Sequence, residues 1–395
     1  MAELDDLTFT RAARSRIAAE GIRGLSLRTV AQEAGGSVGS LNYRIGDKAA
    51  LVARLIDEER RERQRFHEGW LARARPLDLK GPQALATVVA AFLDEAATLR
   101  RESALAGCEL LLEATIDPKG YAGVAGLFDD EAQFWRELLK PGRGAQADVL
   151  GLAIAGYCRD ELPFTIALPG HAGYRLLRAA ILQRLAEGLA GPATGLAAGF
   201  EALVAACGDG NAAVPLPLDL VHGSRKAELA GHIAALMAER GLAAISHRAV
   251  AARAGVANSS VAHHFRTRDE LMYGGLGAQI LQTRWELRSA GLKEAQGRHG
   301  MELIRATHMI ALSAARDPLF QPFALDMRRR RAENVVDAVG KAIGGAGGLD
   351  RAAVQAATIA MIGSGLAALA RGADGSEPLV RSQDLAGLRA GSAPG

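Results

Sequence analysis

Two segments of the chain combine basic, amide, hydroxyl and imidazole side chains at a spacing that suits contact with a polyanion. The first lies within residues 28–48 and the second within residues 248–268. Arg and Lys pair with phosphate oxygens, while Asn, Ser and His can add hydrogen bonds to phosphates or base edges. The net charge is only +3, so any nucleic-acid surface must be a local patch.

The candidate DNA-contacting residues lie at the first turns of predicted helices or on the second of two short helices in each segment. Arg28 and Thr29 begin one short helix, where side chains and free amide groups can meet phosphates. Lys48 and Arg268 take the same role at the start of a longer helix. The first segment contributes Arg28, Thr29, Ser37, Val38, Gly39, Ser40, Asn42, Tyr43, Arg44 and Lys48. The second contributes Arg248, Asn258, Ser259, Ser260, His263, His264, Arg266 and Arg268.

An internal repeat explains why these segments look alike. Sliding the chain by 220 residues places 21–35 on 241–255 without a gap. The coinciding pairs are Gly21/Gly241, Ser26/Ser246, Arg28/Arg248, Val30/Val250, Ala31/Ala251, Ala34/Ala254 and Gly35/Gly255. Apolar positions also stay in register, Phe9, Ala13, Ile17, Leu41, Ile45 and Leu51 falling on Leu229, Ile233, Met237, Val261, Phe265 and Leu271. We interpret this as a tandem duplication.

Each copy predicts a helix-turn-helix. In the first copy an apolar helix stops at Gly21, and Ser26 and Ser37 are placed to cap two short helices. Gly35 ends the first of these in a tight turn, and Asp47 precedes a long fourth helix. In the second copy, residues 267–270 form a capping box at the fourth helix. The second short helix would enter a DNA major groove.

The sequence Ala34-Gly-Gly-Ser-Val-Gly-Ser-Leu-Asn-Tyr-Arg-Ile-Gly-Asp-Lys-Ala-Ala-Leu51 resembles the signature of the TetR family of bacterial transcriptional regulators. Ala254-Gly-Val-Ala-Asn-Ser-Ser-Val-Ala-His-His-Phe-Arg-Thr-Arg-Asp-Glu-Leu271 resembles it independently. The resemblance covers about 60 residues per copy. It implies that the Tyr and His positions mostly touch DNA backbone and that the early positions of the second short helix reach base edges.

The two copies depart from the family pattern in different places. Gly36 stands where the family has a buried valine, and Ile45 where it usually has phenylalanine. The second copy keeps Val256 and Phe265 but has Ser259 for the usual glycine and Arg268 for lysine. We therefore expect the second copy to have the better-preserved core and the first to bind DNA more weakly.

The resemblance also implies a small-molecule effector, bound between the helices that follow each helix-turn-helix, and release of the DNA on binding. The expected lining residues are Phe92, Cys108, Glu109, Leu112, Phe128 and Trp135 in the first copy, and His308, Met309, Phe320, Phe323 and Met327 in the second. Each of these residues is open to a second interpretation, as plain hydrophobic core.

Family members pair through their last two helices, so one duplicated chain would form a pseudo-dimer. Helices at 145–160 and 172–190 would pack on 350–371 and a short C-terminal helix. Because the copies differ in their recognition residues, we expect an operator with two non-identical half-sites, with further homodimerisation left open. An alternative is a ligand-binding or protein-interaction module in which one or both DNA-reading heads are degenerate.

The fold class predicted is all-α, because no β-branched run alternates with period two. The first copy comprises a helix-turn-helix domain at 1–52 and a helical ligand-binding and dimerisation domain at 53–207. A linker at 208–221 follows. The second copy comprises corresponding domains at 222–272 and 273–395. Further helices are expected at 82–100, 102–116, 122–140, 195–207, 269–291, 299–315 and 328–343, with a frayed tail from Gly372.

Several function classes lack support in the sequence. No nucleophile elbow, Walker loop, HExxH motif or dinucleotide fingerprint is present, so we expect no enzyme and no cofactor beyond the effector. Three widely spaced cysteines fit a reducing cytoplasm. The acidic N-terminus does not resemble a signal peptide, and we expect no membrane span. Adjacent His263 and His264 point about 100° apart on a helix, which makes them a poor metal pair.

Two of three further patterns are open to two interpretations. Arg328-Arg-Arg-Arg331 is either a second DNA contact or, as we expect, a solvated helix face. The run from Glu58 to Arg65 is expected to be an exposed, salt-bridged face. Gly274, Gly275 and Gly277 on the fourth helix of the second copy are either a soft joint or a site of close packing that requires small residues.

Overall fold

The computed structural model describes residues 5–189, 191–208, 214–216, 218–240, 244–289, 298–344, 348–373 and 382–390. Within these ranges the regular structure is entirely helical, so the all-α prediction is confirmed there. The predicted stop at Gly241 and much of the 208–221 linker lie outside the described residues. The chain divides into two compact units, one from Met1–Leu55 with Ala213–Ser289 and the other from Ile56–Ala212 with Ala290–Gly395.

The α-helices of the described residues are numbered in chain order. They are α1 (Asp6–Glu20), α2 (Leu27–Glu33), α3 (Val38–Arg44), α4 (Lys48–Ala74), α5 (Pro82–Thr98), α6 (Arg101–Ala114), α7 (Val124–Arg143), α8 (Ala147–Ala167), α9 (Ala172–Ala186), α10 (Phe200–Ala206), α11 (Arg225–Arg240), α12 (His247–Ala254), α13 (Asn258–His264), α14 (Arg268–Ser289), α15 (Arg298–Arg316), α16 (Gln321–Arg329), α17 (Val336–Gly344), α18 (Arg351–Ala370) and α19 (Ser382–Ala390).

The first unit holds two three-helix modules of the same design, which we call head 1 (α1–α3) and head 2 (α11–α13). Helices α2, α3 and α4 begin 220 residues before α12, α13 and α14. The turn between the short helices is made at Gly35 and Gly255, with φ of 71° and 66°. Both glycines occupy the left-handed region that disfavours side chains, which explains their place at matching positions.

Side-chain caps fix where the short helices begin. The Ser26 hydroxyl accepts a hydrogen bond from the Thr29 amide at 3.2 Å, and the Ser246 hydroxyl accepts one from the Ala249 amide at 3.2 Å. Asp47 accepts from the Ala50 amide at 2.9 Å at the start of α4. Each cap satisfies an amide that the first helical turn leaves without a partner. The predicted helix starts at these residues are confirmed.

The apolar register predicted for the heads is the core of each. Phe9, Ile17 and Leu41 in head 1 are fully buried, as are Leu229, Ile233 and Val261 in head 2. The exception is Ile45, which is half-buried, whereas Phe265, at the matching place, is completely buried.

The second unit is built around α8, which is buried along almost its whole length. It packs against α7, α15 and α18, while α9 packs against α5 and α18. α8 runs through Pro163 to Ala167, past the predicted end at residue 160. A buried helix retains an internal proline because its other backbone bonds and its side-chain packing persist.

Two sequence predictions for this unit are wrong. The helix expected at 328–343 is two helices, because the chain turns between α16 and α17, with Ala332 at φ 76°. The tail expected to fray contains α19, whose Leu385 and Leu388 are buried.

α18 is uncharged beyond its first residue and has the length and composition of a membrane-spanning helix. However, 83% of the stretch that meets these criteria is buried inside the protein, as in a core helix. Gly363 and Gly365 do not interrupt it.

The arginine run at 328–331 is not the solvated face expected from its charge. Arg328 and Arg331 are buried and reach carboxylates on α8. Arg328 forms a two-pronged pair with Glu161, at 2.6–3.0 Å, and Arg331 bonds Asp160. Arg329 is buried against Asp326, at 2.8 Å. These charges are therefore part of the core of the second unit.

Part of the Glu58–Arg65 run also departs from expectation. Glu59 is completely buried and accepts a hydrogen bond from Ser103, at 2.5 Å. Arg60 pairs with Asp130 through two hydrogen bonds of 2.7 and 2.9 Å. Arg61 remains exposed and pairs with Glu58, as predicted.

Candidate functional site

The predicted recognition surface of head 1 is the outer side of α3. Tyr43 is 91% exposed, and Asn42, Val38 and Gly39 are exposed beside it. Leu41, in the middle of the same helix, is completely buried and anchors α3 to α1 and α2. The helix therefore turns a polar and aromatic face outward on a fixed apolar base. Ser37, Ser40 and Arg44 complete the predicted set, of which Ser40 and Arg44 are half-buried.

The caps restrict which predicted residues can bind a phosphate. Ser37 is exposed, but its hydroxyl accepts a hydrogen bond from the Ser40 amide at 3.1 Å. The Thr29 hydroxyl donates to the Ser26 carbonyl at 2.9 Å, so its side chain serves the cap first. Arg28 and Lys48, which are exposed at the first turns of α2 and α4, remain the cationic groups best placed for phosphate contact.

Head 2 presents a different set of groups on α13. Asn258, Ser259 and His263 are exposed, whereas Ser260 and His264 are half-buried. The two imidazole rings meet edge to face, with centroids 5.1 Å apart. Within the described residues no group of three or more potential ligands could hold a metal ion. Arg248, Arg266 and Arg268 are exposed around this helix and supply its positive charge.

One positioning residue of head 2 was missed in the sequence. His247, the first residue of α12, brings its Nε2 within 2.6 Å of the Phe265 carbonyl oxygen at the end of α13. This bond joins the beginning of α12 to the end of α13. The matching position in head 1 is Leu27, so the repeat comparison gave no signal for it.

The two heads touch within the first unit. The turn Ile22–Gly24 of head 1 packs against α11 of head 2. Arg253 bonds Glu239 through two hydrogen bonds of 2.6 and 2.8 Å and holds the pKa of that carboxyl below its usual range. Arg23 of head 1 adds a smaller effect in the same direction. The heads are thus neighbours rather than independent modules.

The sequence predicts a well-preserved core beneath α13. The structure agrees with this prediction at Phe265 but not at Val256. Phe265 is completely buried in head 2, and a methyl group on Gly274 would fall 2.5 Å from its ring. Val256, however, is only half-buried, so the expectation of a buried valine there is wrong. A methyl group on Gly275 would meet Met237 Sδ at 2.5 Å, and one on Gly277 would meet Leu220 at 3.1 Å. These contacts favour close packing over a soft joint.

The second unit contains a small cavity lined by part of the predicted ligand set. Phe92, Cys108 and Phe128 line a volume of about 40 Å³. The charged groups there, Arg63, Glu131 and Arg159, were not predicted from the sequence, because charged side chains on helices are normally expected at the surface. This volume gives room for water but not for a drug-sized molecule.

The other predicted lining residues do not border this cavity. Glu109 pairs with Arg316 at 2.7 Å, Leu112 is buried, and Trp135 packs on Phe134 with centroids 4.7 Å apart. In the predicted second copy, His308 Nε2 lies 3.2 Å from Asp160. Phe320, Phe323 and Met327 are buried and Met309 is half-buried; neither this cavity nor a second one beside Leu79 and Pro141 is lined by them.

Comparison with known proteins bears on head 2. Residues 233–272 match the family model described as bacterial regulatory proteins, tetR family. The matched stretch runs from within α11, through α12 and α13, into the first turn of α14. No curated protein matches the chain. The match supports a transcriptional regulator of this family with a DNA-binding helix-turn-helix.

Proposed function

We propose that the chain is a ligand-responsive DNA-binding transcriptional regulator, acting as a repressor in the cytoplasm, whose two heads bind one operator. The observation that carries this proposal is the pair of helix-turn-helix modules in one compact unit, each with the outer face of its recognition helix exposed. The family match over head 2 supports the assignment of that face to DNA.

The operator is proposed to contain two non-identical half-sites. The first turn of α3 offers Val38, Gly39 and Ser40, whereas the first turn of α13 offers Asn258, Ser259 and Ser260. An exposed valine favours contact with a thymine methyl group, while an asparagine amide suits a two-pronged contact with adenine. Heads with such different side chains read different base steps.

The second unit is proposed to be an intrachain pseudo-dimer interface. Helices α8 and α9 come from the first predicted copy, and α18 and α19 from the second. α8 packs on α18, α9 packs on α18, and α19 packs on α8. One polypeptide would then present two recognition helices to successive turns of the duplex, about 34–36 Å apart in paired regulators of this kind.

An effector is proposed to act through the cavity of the second unit. Arg63, which lines it, lies on α4, and Lys48 at the first residue of that helix is a candidate phosphate contact. Binding that favours one position of α4 would therefore change the affinity for DNA. Coupling of this kind is typically about 1–3 kcal/mol, or about 5–150-fold in affinity.

The test is unbiased site selection followed by a gel-shift titration at several salt concentrations. We expect one chain per site, a bipartite sequence without full two-fold symmetry, and affinity that falls steeply with salt. Asn258→Ala should relax base preference in one half-site only, whereas Arg28→Gln should weaken all sequences alike. Arg175→Gln, at an exposed position of α9 in the second unit, is the matched control. Binding of one chain to a perfect palindrome, or no retention on any duplex, would contradict the proposal.

A further inference from the structure

The cavity of the second unit carries a surplus of positive charge. Arg63 extends from α4 across α6, so that a methyl group on Gly107 would collide with its guanidinium. In the part of the chain that the structure describes, no carboxylate lies within ion-pair distance of Arg63. It therefore faces the cavity with a charge that no neighbouring side chain neutralises by direct contact.

Deeper in the same cavity, Arg159 and Glu131 form a buried pair. Arg159 Nε lies 3.2 Å from Glu131 Oε2, and both side chains are at least nine-tenths buried. The Arg159 guanidinium also stacks over the Phe128 ring, 5.1 Å from its centroid. Burial raises the pKa of Glu131 and lowers that of Arg159. The cavity thus holds two guanidinium groups against one carboxyl.

The rest of the lining is apolar. Phe92, Leu93, Leu111 and Phe128 are buried around the charged groups. Cys108 behaves as part of this wall, because burial raises the pKa of its thiol to about 12 and keeps it uncharged. A ligand with an apolar body and one negative end matches this division between hydrophobic wall and guanidinium groups.

Arg63 and Leu162 are the half-buried members of the cavity lining, whereas the others are buried. The volume of about 40 Å³ is too small for an organic ligand without movement. Arg63, long and unconstrained by an ion pair, is the side chain that can move at the least cost and then pair with the ligand.

We propose that this cavity binds a small organic monocarboxylate, with its carboxylate between Arg63 and Arg159 and its apolar body against Phe92 and Phe128. Its role as the effector rests on the proposed regulatory function, whereas its binding does not. Arg63 is then the residue that determines specificity for an anion, and its guanidinium lies against Gly107.

Titration calorimetry on the full chain without DNA tests the binding. The probes are benzoate and butyrate, with benzamide and butyramide as neutral analogues of the same shape. We expect the carboxylates to bind at least about tenfold more tightly than the amides, the effect of losing a charge-assisted pair. Arg63→Gln should remove this preference, and Arg63→Lys should restore part of it. Arg61→Gln, an exposed position on the same helix, is the control and should change nothing.

Three results would overturn the proposal: equal binding of acids and amides, unaltered acid binding by Arg63→Gln, or no binding of either acid by a chain that unfolds at the normal temperature. Inorganic phosphate provides a further arm, since binding as tight as that of benzoate would refute the need for an apolar body. A gel shift in the presence of benzoate distinguishes ligand binding from the effector role. Calorimetric binding without DNA release removes only the effector role, and loss of DNA binding in all samples refutes the proposed function alone.

Discussion

Gly156 on α8 and Gly363 on α18 meet backbone to backbone where the two helices cross. A methyl group on Gly363 would collide with the Gly156 carbonyl oxygen, and one on Gly156 would collide with the Ala360 carbonyl and approach Ser364 Oγ. The requirement is reciprocal, because each glycine leaves the space that the other backbone occupies. This close crossing joins the two halves of the second unit.

Gly363→Ala is predicted to destabilise the second unit by about 3 kcal/mol or more, because a rigid backbone atom cannot move aside as a flexible side chain would. Gly69→Ala is the matched control, since Gly69 lies within α4 and has open space where a Cβ would be added. That change should stabilise by about 0.5–1 kcal/mol, the helix-propensity gain of alanine. Thermal unfolding of both variants measures the difference, and equal midpoints would contradict the crossing.

Gly274→Ala is predicted to destabilise head 2 by about 1–3 kcal/mol, because the new methyl group overlaps the Phe265 ring. Phe265→Ile in the same chain should recover part of the loss, as isoleucine lacks the ring atoms in question. Gly231→Ala on α11, with open space around it, is the control. Hydrogen exchange in α12 and α13 is the measurement. Unchanged protection in Gly274→Ala would mean that this packing is looser than the structure indicates.

Glu161→Gln is predicted to cost about 3–5 kcal/mol, because Arg328 would keep a fully buried charge without its partner. Replacing both Glu161 and Arg328 by Met should cost less than the sum of the single changes. The exposed pair of Arg351 with Glu201, at 2.7 Å, provides the contrast. Arg351→Gln should change stability by no more than about 1 kcal/mol. Denaturant unfolding of the full set checks this, and additive single effects would argue against the pairing.

His67 is predicted to make the second unit less stable as the pH falls. Burial, with a smaller effect of Arg63, lowers its pKa to about 3, and its ring stacks on Phe134 at 4.7 Å. In the unfolded chain the His67 imidazole binds a proton near pH 6.5, whereas in the folded state it stays neutral at that pH. Its contribution to the free energy of unfolding is therefore complete above about pH 6.5 and decreases below it. Between pH 7.5 and pH 5 this group should cost about 2 kcal/mol.

His67→Phe keeps the stacked ring and removes the titration. The variant should therefore lose less stability than the parent chain between pH 7.5 and pH 5, as measured by denaturant midpoints at both pH values. Identical pH dependence in the two proteins would show that the His67 imidazole is not excluded from its charged form by folding.

The heads could be predicted closely from the sequence because their signals are local. Ser26, Ser37 and Asp47 cap helices a few residues away, and Gly35 and Gly255 mark turns that need a left-handed backbone. Each of these devices acts within four or five residues. The same short range allowed the repeat to be found by comparing the chain with itself.

The second unit was harder to predict because its interactions join distant residues. Arg328 and Glu161 are 167 positions apart, so the arginine run carried no sign that its charges were neutralised in the core. The cavity groups Arg63, Glu131 and Arg159 likewise come from α4, α7 and α8. Phe92, Cys108 and Phe128 could be predicted as interior residues because large apolar and thiol side chains on amphipathic helices are usually buried. Their residue types do not indicate which other side chains they contact.

The packing of α8 on α18 within one polypeptide has a consequence for gene dosage. When two separate chains must associate, the number of assembled pairs falls with the square of the subunit concentration at high dilution. Here the two surfaces are tethered, so their effective concentration is set by the intervening chain and not by expression level. Halving the number of molecules in a cell would therefore only halve the number of assembled second units. Dilution would not separate α8 from α18.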